Sequence, residues 1–203
     1  LSGPAISFSG IILAGGESRR MGRPKALLPF AGEILILRVL KRLSAVTDEQ
    51  LVVAAPGQDL PDLPARLVRD LEPHLGPVAG LAVGLAAARA PRAFVTSCDS
   101  PFLSLGLVRW MLDESTGWDV VVPEWGGRLN PLHAVYATAL AETYRRLLAA
   151  GRSRPVDAYA EARVRVVREE EIRRLDPLGR SLTNINSPEE YERALIEAAR
   201  DSA

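Results

Sequence analysis

Leu13-Ala14-Gly15-Gly16-Glu17-Ser18-Arg19-Arg20-Met21-Gly22-Arg23-Pro24-Lys25 follows directly on the apolar pair Ile11-Ile12. Ile6 to Ala14 reads as a first strand, so the glycines stand at the carboxyl edge of a sheet, where open α/β folds take up ligands. Gly15, Gly16 and Gly22 let the backbone approach a polyphosphate with N–H groups turned inward, and Arg19, Arg20 and Lys25 add positive charge beside them. A triphosphate needs both features. A Gly-rich surface turn with solvated arginines accounts for the same residues and stays open as an alternative. Spacing excludes two other phosphate loops. In a P-loop the lysine follows the second glycine directly, whereas Lys25 lies three residues after Gly22 and is followed by Ala26. Gly15, Gly16 and Gly22 do not make G-x-G-x-x-G either.

Outward from this loop, strand-like and helix-like patterns alternate, as βαβ units on a mostly parallel sheet do. Helical spacing from Glu33 to Ala45 puts Leu35, Val39, Leu40 and Leu43 on one stripe. Leu51 to Ala55 is a buried strand closed by Pro56-Gly57, and Arg66 to Arg69 is a weaker one. The Ala-rich stretch Val78 to Ala90 reads as a closely packed helix. Ala93 to Cys98 is a strand that stops at Asp99-Ser100-Pro101. A helix over Leu105 to Glu114, a strand over Asp119 to Pro123, a strand over Pro131 to Ala137 and a helix over Ala139 to Ala149 follow. Val164 to Val167 has the charge and alternation of an edge strand. The last helix has a clear start: Ser187 as N-cap, Pro188 at N1, Glu189 and Glu190 in the first turn.

The expected architecture is a three-layer α/β/α sandwich around a Rossmann-like, mostly parallel sheet, in one domain spanning residues 1–203. Residues 1–9 are expected to be disordered, processed or added, and stand outside the fold argument. A chain of 203 residues suits one core that buries roughly 70% of its unfolded surface.

With 25 basic and 25 acidic residues the formal charge is zero, which argues against a nucleic-acid or membrane-surface partner. Cys98 is the sole cysteine, so no internal disulfide forms and a cytoplasmic setting is expected. Ile11 to Ala14 is too short to cross a bilayer, and Leu1 to Ser9 lacks the pattern of a signal peptide.

Asp99 is delivered to the same sheet edge as the glycine loop. Its carboxylate suits Mg²⁺, which takes oxygen ligands and one or two carboxylates alongside substrate phosphates. A plain turn-capping role for Asp99 is the competing reading. Cys98 reads as a small core residue, since no histidine neighbours it to make a nucleophile. Asp70, at the end of the weaker strand, is either a turn former or an acceptor for the N–H groups of a base. Gly76 and Gly80 can serve close helix packing alone. His133 on an apolar strand reads as packed and hydrogen-bonded rather than as a base, and His74 is given no role.

The pattern L-A-G-G-x-S-x-R-M-G-x-x-K, followed by Leu27-Leu28-Pro29, resembles the nucleotide-binding signature of the molybdenum cofactor guanylyltransferases (molybdopterin-guanine dinucleotide biosynthesis protein A). These belong to the GT-A-like nucleotidyltransferases, and the fold implied is of the nucleotide-diphospho-sugar transferase type. Gly15-Gly16 is closer to the guanylyl members than to the cytidylyl ones, which typically read L-A-A-G. Cys98-Asp99-x-Pro101 resembles the family's metal segment, Asp70 with Gly76-Pro77-Val78-Ala79-Gly80 its nucleotide segment, and Asn184-Ile185-Asn186-Ser187-Pro188 its late N-I-N-T-P segment. Pro131-Leu132-His133-Ala134-Val135-Tyr136 resembles the strand beside the acceptor pocket. The likeness runs from about Ile11 to Ile196. One departure stands out: many members carry an asparagine after the second strand, where this chain has Ala54-Ala55-Pro56.

The resemblance implies that GMP passes from Mg·GTP to molybdopterin with release of pyrophosphate, by a monomer or weak oligomer. It implies catalytic roles for Lys25, Arg19 and Asp99, with Mg²⁺ held by Asp99. Nucleotide contacts are implied at Leu13, Ala14, Gly15, Gly16, Lys25, Asp70, Gly80 and Asp99. Phosphate or acceptor contacts are implied at Asn184, Asn186, Arg20 and Asn130, with Arg128 as a substitute for the last. Three rivals remain: CTP in place of GTP, a sugar or alditol phosphate as acceptor, and a GTP-binding partner protein that transfers nothing.

Overall fold

Alternation along the first strand sends Ile11 and Leu13 into one apolar layer and Ile12 and Ala14 into the other. That division runs through the molecule, a computed structural model that describes residues 7–15, 24–70 and 76–201. In chain order the strands are β1 (Ser9–Leu13), β2 (Pro29–Phe30), β3 (Glu33–Ile34), β4 (Glu49–Ala54), β5 (Arg66–Arg69), β6 (Arg92–Ser97), β7 (Val120–Trp125), β8 (Arg128–Leu129), β9 (His133–Ala137) and β10 (Val164–Val167). The helices are α1 (Leu35–Leu43), α2 (Pro77–Ala87), α3 (Leu105–Asp113), α4 (Ala141–Ala149), α5 (Glu169–Arg173) and α6 (Pro188–Asp201).

The central sheet runs β10-β7-β9-β6-β1-β4-β5, with β8 attached to β7. β1 pairs parallel with β4 and β6, β4 with β5, and β10 with β7. Only β9 is reversed against both its neighbours, β6 and β7, among the seven strands of this path. α2 and α4 cover one face with Leu51, Val53 and Val95; α1, α3 and Ile172 of α5 cover the other with Val52 and Phe94. This is the three-layer α/β/α sandwich with a mostly parallel sheet that the alternating pattern implies. From β1 the chain builds outward through β4 and β5, then returns to β6 on the far side of β1, and that reversal leaves a crevice at the strands' carboxyl ends.

Glycines set the distance between α2 and the sheet. A Cβ on Gly80 would meet Leu13 Cδ2 at 3.1 Å, and one on Gly84 would meet Ile11 Cγ2 at 3.0 Å and Val53 Cγ2 at 3.1 Å.

Several boundaries differ from the sequence expectation for identifiable reasons. Ser9 opens β1 and hydrogen-bonds Glu49 at 2.7 Å, so residues 1–9 do not all stand outside the fold. The helix expected from Glu33 starts at Leu35, because Glu33 and Ile34 pair antiparallel with Pro29 and Phe30. The connecting Ala31 and Gly32 have φ of 48° and 85°, the twist that suits a two-residue hairpin. The strand expected from Pro131 begins at His133, whose N–H still turns back to Asn130 O at 3.0 Å. α2 stops at Ala87, short of Ala90. The expected helix from Ala139 opens instead as a 3₁₀ turn, Thr138–Leu140, before α4.

A satellite core lies beside the sheet: Leu28, Phe30, Leu35, Ile185, Ala194 and Ala198, with Phe102 packed against them. Phe30 meets Phe102 edge-on at 5.7 Å between ring centres. Each of the fully buried Leu28, Phe30 and Leu35 contributes about 1.5–3 kcal/mol. This cluster binds β2, the chain after β6 and α6 into one corner, although they are far apart in sequence. α6 starts as the sequence indicates, with Glu190 N–H on Ser187 Oγ at 3.2 Å and Ser187 N–H on Glu190 Oε2 at 3.1 Å, a reciprocal capping box.

His133 is buried edge-on against Phe94, 4.9 Å between ring centres. Neither ring nitrogen has a hydrogen-bond partner among the described residues, which departs from the hydrogen-bonded histidine expected from sequence. Burial pushes its pKa down to about 4, and the charge of Asp176 opposes that only in part. The unfolded chain takes up this proton near pH 6.5 but the folded chain only near pH 4, so neutral burial of His133 stabilises the fold fully above pH 6.5. The contribution is lost as pH falls through that window, by about 2–3 kcal/mol at pH 4.5. Denaturant unfolding of His133→Leu at pH 7.5 and 4.5 should show a correspondingly shallower pH dependence; an unchanged dependence would refute it. Ala31, exposed and left-handed, is the one described non-glycine residue with positive φ. Ala31→Asn should relieve roughly 0.5–1 kcal/mol, read as a rise of about 1–4 °C in Tm.

Candidate active site

Parallel pairing brings the carboxyl ends of β1, β4, β5 and β6 to one edge of the sheet. The ladder continues one step past the strands, with Ala14 N–H on Val53 O at 2.8 Å and Cys98 N–H on Leu13 O at 3.1 Å. Gly15 emerges exposed beyond β1, Asp70 beyond β5 and Asp99 beyond β6.

Asp99 is 8% exposed, and both its carboxylate oxygens are engaged. Lys25 Nζ donates to Oδ2 at 2.8 Å, and Ser97 Oγ donates to Oδ1. The same lysine donates to Asn186 Oδ1 at 2.9 Å. Lys25 is held over the carboxylate by a short 3₁₀ turn, Lys25–Leu27, which buries Ala26 and runs into Leu28 of the satellite core.

Asn184 faces inward. Ser100 Oγ donates to its Oδ1 at 3.0 Å, and its Nδ2 lies 3.5 Å from Ser97 Oγ. The two asparagines thus serve opposite oxygens of one carboxylate, Asn186 through Lys25 and Asn184 through Ser97.

The backbone of the Asp99 loop is equally tied. Ile185 N–H donates to Asp99 O at 3.0 Å, Arg38 Nε to Pro101 O at 3.1 Å and Ser181 Oγ to Phe102 O at 3.3 Å. Arg42 reaches Leu103 O through Nε at 2.9 Å and Nη2 at 2.7 Å. Unmade bonds to buried carbonyls cost about 1–3 kcal/mol each, so this loop is rigid without regular secondary structure. Cys98 is buried, and desolvation with the Asp99 charge pushes its thiol up to about 12, so it stays neutral and unreactive.

Of the residues singled out from sequence, Lys25, Asp99 and Asn186 meet directly, and Asn184 joins them through the serines. Gly15 and Asp70 lie along the same sheet edge, on the β4 and β5 side. Leu13 and Ala14 are buried, with the Ala14 N–H given to Val53 and its carbonyl to Gln58 Nε2 at 3.0 Å. Gly80 is buried against Leu13, so packing is what the structure exhibits there. Asn130 sits where β8 leads into β9; its N–H donates to Pro123 O at 2.9 Å and its Nδ2 to Arg128 O at 3.2 Å. Gly16, Arg19, Arg20, Gly22 and His74 lie outside the described residues.

Sequence reading did not find Ser97, Ser100, Arg38 or Arg42. Two serines flanking Cys98-Asp99 and two arginines spaced i, i+4 on α1 were the available signals, but their partners are remote in sequence.

The family model described as "MobA-like NTP transferase domain" matches residues 10–174. A relative named "Probable molybdenum cofactor guanylyltransferase" from Pelotomaculum thermopropionicum is 36% identical over 193 residues, covering 95% of this chain and 94% of its own. One named "Molybdenum cofactor guanylyltransferase" from Desulfosudis oleivorans is 38% identical over 200 residues, covering 97% and 99%. Among solved structures, molybdopterin-guanine dinucleotide biosynthesis protein A from Archaeoglobus fulgidus superposes with a TM-score of 0.80 at 24% identity, over 95% of this chain and 99% of that one.

The pairing of Lys25 with Asp99 has a direct stability test. Lys25→Met leaves a mostly buried carboxylate without its cation and should cost about 1–3 kcal/mol; Asp99→Asn added to it should recover about 1 kcal/mol. Strict additivity of the two changes in denaturant unfolding would deny the interaction.

Proposed function

Because this chain belongs to the MobA-like NTP transferase family, we propose that it transfers the GMP moiety of GTP onto molybdopterin and releases pyrophosphate. The observation that carries the reading is the 2.8 Å contact between Lys25 and Asp99 at the sheet's carboxyl edge, beside the end of β1. An amine and a carboxylate this close could serve one polyphosphate, the acid holding a divalent ion and the amine turning to phosphate oxygens.

The donor set suits Mg²⁺. Asp99 Oδ1 and Oδ2 and Asn186 Oδ1 are all oxygens, and no group of three or more acidic, histidine or cysteine side chains gathers anywhere among the described residues. One carboxylate with room for substrate phosphates is the Mg²⁺ pattern, as opposed to a cage made by protein alone. When bound, such an ion would offset negative charge on the triphosphate and the departing pyrophosphate. Asp99 and Asn186 are the residues that would hold it.

Lys25 exchanges its carboxylate partner for the triphosphate, with the 3₁₀ turn Lys25–Leu27 keeping the amine at the crevice. Gly15 admits the nucleotide close to the backbone, with Asp70 toward the base. By the sequence pattern, Arg19, Arg20 and Gly16 are assigned further cation and N–H contacts with the phosphates, and Asn130 a contact with the acceptor. The terminal phosphate of molybdopterin is already anionic at neutral pH and attacks the α-phosphorus in line, so no protein base is needed. His133, the one histidine among the described residues, is buried in the core and takes no part. No helix of the described residues is long and apolar enough to cross a membrane, and we place the reaction in the cytoplasm.

Pyrophosphate release with molybdopterin and Mg²⁺ should be fast with GTP and slow with CTP. Asp99→Asn should still fold and unfold cooperatively, with Tm lowered by a few degrees as the ion pair is lost, yet lose roughly 10²–10³-fold in turnover. Preference for CTP, or for a sugar phosphate acceptor, would replace the substrate pair; tight GTP binding without transfer would replace the enzyme with a binding protein.

A further inference from the structure

Where β1 and β4 end, the parallel ladder makes one more regular step, Ala14 N–H to Val53 O at 2.8 Å. In that register the next rung of a parallel pair joins Ala55 N–H to Ala14 C=O. It is not made directly. Gln58 occupies it: its Nε2 donates to Ala14 O at 3.0 Å, and its Oε1 accepts from Ala55 N–H at 3.1 Å. The carboxamide stands in for a peptide group, so the two strand ends stay bonded while held apart by the width of one amide.

The local sequence is built to deliver this side chain. Ala55-Pro56-Gly57-Gln58 turns with Gln58 N–H on Ala55 O at 3.2 Å, proline at the second position and Gly57 at φ 70° in the third, the arrangement of a type II turn. Arg69 Nη1 then donates to Ala55 O at 3.0 Å and Gln58 O at 2.7 Å, locking the turn to the end of β5. Asp70 N–H donates to Ala54 O at 2.9 Å, which places Asp70 next to the widened gap. Gly15 passes on the other side, where an added Cβ would come within 3.4 Å of Ala55 N.

We propose that Gln58 is a positioning residue for the nucleotide: its carboxamide wedge fixes the separation of Gly15 from Ala55 and Asp70, and so shapes the crevice that takes the base. The proposal rests on the nucleotide-binding reading above. It explains how a chain with Ala54-Ala55-Pro56 at the end of β4, and no polar side chain in those three positions, still presents an ordered edge there. It also separates two halves of the site. Gln58 acts at the β1–β4 side, while Lys25 and Asp99 act at the β1–β6 side, so loss of the wedge affects the base and spares the phosphates.

Two variants test this. Gln58→Met keeps the length and removes both hydrogen bonds; Gln58→Glu keeps an acceptor for Ala55 N–H but as a carboxylate cannot donate to Ala14 O. Calorimetric binding of Mg·GTP should weaken about ten-fold in each, with KM for GTP raised in step and kcat at saturation unchanged. Affinity for inorganic tripolyphosphate with Mg²⁺ should stay at the unaltered chain's value, while Tm falls by a few degrees because the buried Ala14 loses the donor to its carbonyl. Unchanged GTP affinity in both variants overturns the role of Gln58 while leaving the nucleotide reading intact. Equal losses for GTP and tripolyphosphate, or a kcat that falls with KM unchanged, also overturn it, since either points to general loosening. Failure of the unaltered chain to bind Mg·GTP sinks the nucleotide reading, and this inference with it.

Discussion

A carboxylate that is 8% exposed must have both oxygens satisfied, and the corner of the molecule around Asp99 is organised by that requirement. Ser97 answers one oxygen from the strand that carries Asp99, but the other is answered by Lys25, 74 residues earlier in the chain. Asn186 holds the lysine in turn, 161 residues further on. Neither Lys25 nor Asn186 is local to Asp99, so their pairing exists only once three remote segments have docked.

Apolar packing does the docking. Leu28, Phe102 and Ile185 meet in the satellite core, and each stands one to three residues from Lys25, Asp99 or Asn186. Hydrophobic burial is undirected, but three anchors so near three polar residues leave little freedom in where those residues point. The hydrogen bonds from Arg38, Arg42, Ser181 and Ile185 to loop carbonyls then remove what remains. Function and stability therefore share residues here. The sheet, by contrast, supplies the platform and the crevice, with its two faces closed by helices.

The elements that sequence alone makes legible are those whose signal is local. Parallel strands buried on both faces show as apolar runs, which is why β1, β4, β6 and β7 are readable, and the Ser187 capping box declares the start of α6. The β2–β3 hairpin is hidden because each strand has two residues and its turn uses Ala31 where asparagine or glycine would be the telling signal. Asp99 and Lys25 stand out as chemistry at a strand end and in a glycine-rich loop. Asn184 does not separate from Asn186 in sequence, although one serves Ser97 and Ser100 and the other Lys25, because that difference arises from which side of the chain meets β6. Gln58 carries no signal at all beyond the turn before it; its meaning depends on a missing rung between strands separated by more than 30 residues.

On the proposed function, the Lys25–Asp99 pair is a resting arrangement that a metal–triphosphate complex would open, each partner going to the opposite charge. A crystal structure of this chain with Mg²⁺ and a GTP analogue that resists cleavage at the α-phosphorus tests this directly. The account predicts Lys25 Nζ on a phosphate oxygen and the Asp99 carboxylate on the ion. A triphosphate bound elsewhere, with the 2.8 Å contact between Lys25 and Asp99 intact, would contradict it.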